Sequence, residues 1–179
     1  MADAMRDAIL NGFVDQNYLG SEELGPKILA NNQQERIWQT LRQELYSCKS
    51  FTWAIAFITQ DMLVPFKVIM ADLAKNEIIG MIITGDYLGF NNPRFCTELQ
   101  KIPNLEVRIA NKAGFHTKGY LFDHENYQTV IIGSANFTRS ALLANYEWAL
   151  KVSSKKQADL TAQLVDKITD LKQDSFVLN

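Results

Sequence analysis

Phe51-Thr-Trp-Ala-Ile-Ala-Phe-Ile58 is an almost unbroken apolar run, rich in aromatic and β-branched residues and far too short to cross a membrane. A run of this kind reads as a strand buried on both faces, as in a sheet covered by helices on each side. Upstream, Ile37, Trp38, Leu41 and Leu45 recur at helical spacing and predict an amphipathic helix over Gln33 to Leu45, ended by Lys49-Ser50. Downstream, a helix is expected after Asp61, with Pro65 near its first turn and Phe66, Ile69 and Leu73 facing the sheet. Ile78-Ile-Gly-Met-Ile-Ile-Thr84 is a second buried strand, a helix through Glu98 and Leu99 follows, and Leu105 to Ile109 is a third strand. This repeated alternation predicts an α/β fold, a layered α/β/α sandwich around a central mixed, mostly parallel sheet. Lys118 to Phe122, Thr129 to Ile132 and Tyr146 to Val152 read as three further strands. A last helix over about Lys155 to Leu171 carries Leu160, Leu164, Val165 and Ile168 on one face.

The chain has 179 residues, 47% of them hydrophobic, which suits a single domain with a substantial core. Residues 1–32, with Ile9, Leu10, Phe13 and Val14 at helical spacing before a polar, Gly-containing stretch, are expected to form a short helix and an arm. Residues 33–179 then make up the catalytic core. A net charge of -2 argues against a coat protein for DNA or anionic membrane, so any phosphate binding must be local. Neither a signal-peptide pattern nor a long apolar run occurs, and the expectation is a cytoplasmic protein without membrane association. Cys48 and Cys96 have no metal-ligand spacing and are too few for a disulfide framework. No metal and no cofactor are expected.

The chemistry concentrates in Phe115-His-Thr-Lys-Gly-Tyr-Leu-Phe-Asp123, Ile132-Gly-Ser-Ala-Asn-Phe-Thr138 and Tyr146-Glu-Trp148. With extended backbone, His116 and Lys118 project to one side, and so do Ser134 and Asn136. An imidazole can attack phosphorus, while an ammonium and an amide donate to oxygens whose charge grows. Glu147 is expected to accept from one ring nitrogen of His116 and leave the other free to attack. Gly133 suits a close backbone approach. Taken singly, a histidine near a strand or a lone lysine is an ordinary surface or core residue; the ordered set carries the reading.

His-x-Lys, four residues, Asp123, then Gly-Ser-x-Asn resembles the HKD motif of the phospholipase D superfamily, with the family's downstream glutamate at Glu147. Nine residues separate Asp123 from Gly133, more than in many members, which suggests a loop insertion at Glu125-Asn-Tyr-Gln128. Gly12-Phe-Val-Asp-Gln16, Gly85-Asp-Tyr-Leu-Gly-Phe90 and Phe115 to Phe122 further resemble the phospholipase D-like nuclease domain at the amino end of some bacterial superfamily II helicases. The nucleotide-cradling Gly-x-x-x-x-Gly-Lys-Ser/Thr of a motor is missing from these residues, so the resemblance implies an excised domain or a stand-alone relative. It also implies that two HKD motifs share one pseudo-twofold site. One motif per chain then implies a homodimer, with one histidine as nucleophile and its mate as general acid. Asp123 would be structural, accepting hydrogen bonds behind the site.

By that resemblance the expected function is a metal-independent phosphodiesterase, a nuclease on DNA ahead of RNA, acting beside a helicase motor through a phosphohistidine. The catalytic set is His116, Lys118, Ser134, Asn136, Glu147 and Asp123; substrate contacts are assigned to Lys118, Asn136, Tyr87 and Arg139. Arg94 and Lys112 are further cations near the motif strands, and Tyr87 and Phe90 either stack on a base or cap the sheet. His124, flanked by Asp123, Glu125 and Asn126, reads as a solvent-exposed turn residue. The alternative to catalysis is a phosphate-gripping and dimerisation module of a larger protein. A phospholipase ranks behind both, since no lipid anchor or basic amphipathic helix is found.

Overall fold

The computed structural model describes residues 25–85, 93–156 and 159–178, without the side chains of Pro93, Arg94, Cys96, Asp159 and Leu160. Helices α1 (Ile37–Ser47), α2 (Gln60–Lys75), α3 (Pro93–Gln100), α4 (Arg139–Leu143) and α5 (Asp159–Gln173) surround one sheet. Its strands are β1 (Lys27–Ala30), β2 (Ser50–Ile55), β3 (Ile79–Gly85), β4 (Leu105–Ala110), β5 (Lys118–Asp123), β6 (Tyr127–Gly133), β7 (Trp148–Lys155) and β8 (Ser175–Val177). They lie in the order β1-β7-β6-β5-β2-β3-β4-β8. The expected α/β layering is present, with helices on both faces of a mixed sheet.

The sheet is mostly antiparallel rather than mostly parallel. Only β2 with β3 and β3 with β4 pair in parallel, and the remaining neighbours run antiparallel. A parallel return needs a crossover of a dozen or more residues, usually helical. α2 and α3 supply such crossovers. After β4 the chain turns through Asn111–Thr117 without a helix, β5 and β6 form a hairpin, and the link to β7 holds only the five-residue α4.

The larger core lies between the sheet and α1 to α4. Trp53 is its centre, with ring centroids 4.8 Å from Phe51, 5.4 Å from Phe66, 5.3 Å from Tyr120 and 5.1 Å from Phe137. On the other face Ile168 of α5 is buried over Ala54, Ile83, Leu121 and Val130, with Leu164, Val165 and Leu171 packed beside it. The helical stripe expected over Lys155 to Leu171 is thus core, displaced by a few residues.

Two strands are absent from the sequence-based expectation. β1, within the segment expected as an arm, pairs antiparallel with β7, and β8 pairs antiparallel with β4. Four and three residues long, they are too short for a period-two signal. The extra residues after Asp123 do not form a loop insertion: Tyr127 and Gln128 belong to β6, and a short turn is closed by His124 N–H to the Tyr127 carbonyl at 3.0 Å. His124 itself is buried, 2% exposed, contrary to the solvent-exposed reading. Its Nε2 lies 2.9 Å from the Glu44 carboxylate, its Nδ1 3.1 Å from the Ser47 carbonyl, and its ring stacks on Tyr127 at 4.3 Å. Lys151 completes the cluster 2.6 Å from Glu44. His124 is buried because it meets a buried carboxylate on α1, 80 positions away in the chain, while its neighbours Asp123 and Glu125 pair with Lys156 and Lys49.

Candidate active site

The carboxyl ends of β2 and β6 and the amino ends of β5 and β7 meet at one end of the sheet, as the register requires. Ile55 pairs with Lys118, Gly119 with Ile132, and Gly133 with Ala149. All the motif residues except Asp123 fall there.

His116 stands just before β5, exposed to solvent. The turn preceding it uses Gly114 at φ 71, in the left-handed region that glycine tolerates. On either side the backbone is anchored: the Phe115 side chain is buried, the Thr117 hydroxyl donates to the Ala54 carbonyl at 3.1 Å, and the Thr117 carbonyl accepts from Ala56 N–H at 2.9 Å. The His116 ring lies edge-to-face with Phe57, centroids 5.7 Å apart. Lys118 opens β5, its Nζ 2.7 Å from His116 Nδ1 and donating to the His116 carbonyl at 2.9 Å. Partial burial holds its ammonium below the ordinary lysine range, and the charge of Glu147 works against that shift.

Ser134 and Asn136 follow the end of β6 rather than lying within it, so loop geometry, not the strand pleat, presents them. Three contacts fix this loop. Phe137 is fully buried among Trp38, Trp53 and Phe66, and its backbone brackets Ile58: Phe137 N–H donates to the Phe57 carbonyl at 3.1 Å and the Phe137 carbonyl accepts from Thr59 N–H at 3.2 Å. The buried Tyr120 hydroxyl donates to the Ala135 carbonyl at 2.9 Å. Phe57 N–H donates to Asn136 Oδ1 at 3.2 Å, which sets the amide orientation and leaves Nδ2 as the outward donor. One residue, Phe57, therefore touches both the imidazole and the amide. Phe57, Tyr120 and Phe137 were not assigned to the site from sequence: the first two are aromatics in apolar strands, and Phe137 merely follows the motif residues.

Glu147, just before β7, accepts a short hydrogen bond from Ser134 Oγ, and Ser134 Oγ also lies 3.2 Å from Trp148 N–H. Among the described residues no hydrogen bond joins Glu147 to His116, so the expected orienting role is not seen; its described hydrogen-bond partner is the serine. Asp123 lies at the opposite end of β5, roughly 17 Å of strand from Lys118. There it accepts from Gln128 at 3.1 Å and Lys156 at 2.9 Å, apart from the polar groups gathered at the other end of the strand. Arg139 is exposed at the start of α4. Lys112 is ion-paired to Asp174 at 2.8 Å, which raises its ammonium above the ordinary range. Tyr87 and Phe90, the amino-terminal helix and the Gly12–Gln16 match lie outside the described residues, as does the side chain of Arg94. No helix of the described residues is long and apolar enough to cross a membrane.

The arrangement offers an exposed imidazole, an ammonium beside it and an amide with a fixed donor, groups that together can receive a tetrahedral phosphoryl group. Comparison with solved structures gives the same fold. NucT from Helicobacter pylori superposes with a TM-score of 0.67 at 18% identity, covering 86% of this chain and 98% of that one. Nuc from Salmonella typhimurium, a phospholipase D family member, gives 0.63 at 19% identity over 86% and 99% of the two chains. The phosphatidylserine synthase of Haemophilus influenzae Rd KW20 gives 0.62 at 18% identity over 86% of this chain and 39% of its own. A search among curated proteins returned no match. Residues 41–169 match the family model described as cardiolipin synthase, PLD-like domain. That span is well over half of the chain and contains the whole site, and the protein belongs to the phospholipase D-like family.

Proposed function

We propose that the protein is a phosphodiesterase acting on nucleic acid, DNA ahead of RNA, through a phosphohistidine and without a metal ion. The observation that carries this reading is the convergence of His116, Lys118 and Asn136 at one end of the sheet, with the amide oriented by Phe57. Lys118 and the Asn136 amide hold the non-bridging oxygens, and a His116 ring nitrogen forms the new bond to phosphorus as the bond to the leaving oxygen breaks. The leaving oxygen takes a proton from the partner subunit's His116. Water then attacks the phosphohistidine, gives its proton back to the same partner imidazole, and restores free His116 with release of a phosphomonoester. Ser134 and Glu147 act as a hydrogen-bonded pair at the site's edge.

The second imidazole is assigned to another subunit because the chain has only two histidines, and His124 is buried against Glu44 and Ser47. A helicase motor, covalently attached or bound, is part of the proposal as the partner that delivers the strand. The test is cleavage of single- and double-stranded DNA, RNA and a phosphatidyl ester in excess EDTA, by the wild type and by His116→Ala. The expected outcome is DNA cleavage by the wild type alone. Cleavage by both proteins, or hydrolysis of the phosphatidyl ester alone, refutes the reading.

A further inference from the structure

Glu147 is flanked by two large aromatic side chains that the fold leaves open. Tyr146 is 82% exposed and Trp148 60%, and their rings lie side by side, centroids 5.9 Å apart and planes tilted by 51°. Neither ring fills the core, where Trp53 and Phe137 are fully buried. Trp148 is nonetheless held firmly. It opens β7 opposite Ala30 of β1, its N–H lies 3.2 Å from Ser134 Oγ, and its carbonyl accepts from Ser134 N–H at 3.0 Å. The indole is thus fixed in place by the same serine that donates to Glu147. Only β6 separates β7 from β5, so Trp148 stands roughly 10 Å from the strand that Lys118 opens. That is a span of a few nucleotides along one strand.

Open rings at the rim of a phosphate site take bases by their faces. In a duplex both faces of each base are covered by its neighbours in the stack, and such a pair of rings finds nothing to stack on. In a single strand the faces are free. Charge points the same way. The chain carries a net charge of -2, and Lys49, Lys112, Lys151 and Lys156 are each held by a carboxylate, which leaves base stacking to supply affinity that a basic groove supplies elsewhere. We infer that Tyr146 and Trp148 form a stacking platform for unpaired bases beside the scissile phosphate, and that this platform selects single strands over duplex. The inference rests on the phosphodiesterase reading above and adds the residues that sense the form of the strand.

The test measures binding without cleavage, in the His116→Ala protein, to three probes: oligothymidylate, a strand of the same length built of abasic sugars, and oligothymidylate annealed to its complement. Anisotropy of the labelled probe gives the affinity. Intrinsic fluorescence reports on Trp148, because Trp53 is buried and Trp38 half-buried. The expected result is tightest binding of oligothymidylate, with quenching of the indole. Adding Tyr146→Leu or Trp148→Leu should weaken that binding by about tenfold or more and change the affinity for the abasic strand by less than about twofold. Phe176→Leu, which removes an exposed aromatic at the other edge of the sheet, is the control and binds like its parent. Circular dichroism and sedimentation check that every variant is folded and associates as its parent does. Equal affinity for the three probes, or platform variants that bind oligothymidylate undiminished, overturns the inference and leaves the phosphodiesterase reading standing. Platform variants whose oligomeric state changes assign the two rings to a protein contact and overturn it as well. Base-dependent binding through the platform, in a wild type that cleaves no strand in EDTA, upholds the platform and refutes the catalytic reading instead.

Discussion

Gly133→Ala is expected to damage stability and activity together, although it adds a single methyl group. A Cβ at this position falls 2.2 Å from the Trp148 carbonyl oxygen, 2.5 Å from Ala149 Cα and 2.6 Å from Ala149 Cβ. Two of these are backbone atoms of the paired strand β7 and cannot swing aside as a long side chain would. Contact at ordinary van der Waals separation requires β6 and β7 to part by about 1 Å at a close-packed point. Overpacking of this kind costs about 1–3 kcal/mol. For a domain of this size that lowers Tm by roughly 2–4 °C per kcal/mol. The same carbonyl accepts from Ser134 N–H at 3.0 Å, so the displacement passes directly to Ser134 and Glu147. Thermal melting followed by circular dichroism, with kcat measured on the same preparations, checks both effects. A variant that melts within about 1 °C of the wild type and cleaves at its rate would refute the close-approach argument.

Tyr120→Phe removes the donor to Ala135 and leaves a buried carbonyl unsatisfied, at a cost of about 1–3 kcal/mol; kcat should fall with KM nearly unchanged, because the loop bearing Asn136 loosens. Asn136→Asp keeps the shape and the oxygen facing Phe57 N–H but replaces the outward donor with an acceptor, so cleavage should drop by roughly 100-fold or more while Tm moves little; unchanged turnover would remove the amide from the mechanism. Burial pushes the Glu44 carboxyl up, but hydrogen bonds from His124 and Lys151 outweigh it and hold it below the ordinary carboxylate range. A depressed carboxylate stabilises the fold above its unfolded pKa, and that contribution is lost as pH falls through the folded one. Urea unfolding of the wild type should therefore weaken steeply below about pH 4.5, and Glu44→Gln should flatten that dependence; parallel curves would show that the cluster does not set acid stability.

The layered fold was legible because Phe51–Ile58, Ile78–Thr84 and the helices between them carry strong periodic signals that tertiary context reinforces. Strand direction was not: the alternation in the first half says nothing about a second half that folds as a meander. The site's polar groups could be named from His116-x-Lys118 and Gly133-Ser134-x-Asn136, since chemistry restricts residue type. Their supports could not, because Phe57, Tyr120 and Phe137 differ from core aromatics only in which backbone group they meet. His124 misled for a related reason. Its charged sequence neighbours suggested water, whereas its partner Glu44 is supplied by a helix distant in the chain. Glu147 was assigned to the imidazole from residue chemistry alone, and its short bond to Ser134 depends on where the loop after β6 ends, which spacing does not encode.

The pairing of Lys27 with Lys151 has a consequence for how the molecule is made. β1 leaves the ribosome about 120 residues before β7, its strand partner among the described residues. At about 5–20 residues per second the two are separated by roughly 6–25 s of synthesis. During that interval an edge carrying Ile28 and Leu29 must wait without a sheet to join, long after β2, β3 and β4 have had time to pair. Closure of the sheet on that side is thus a late event in biogenesis, and a nascent chain stalled before Trp148 would hold its apolar amino-terminal strand available to chaperones.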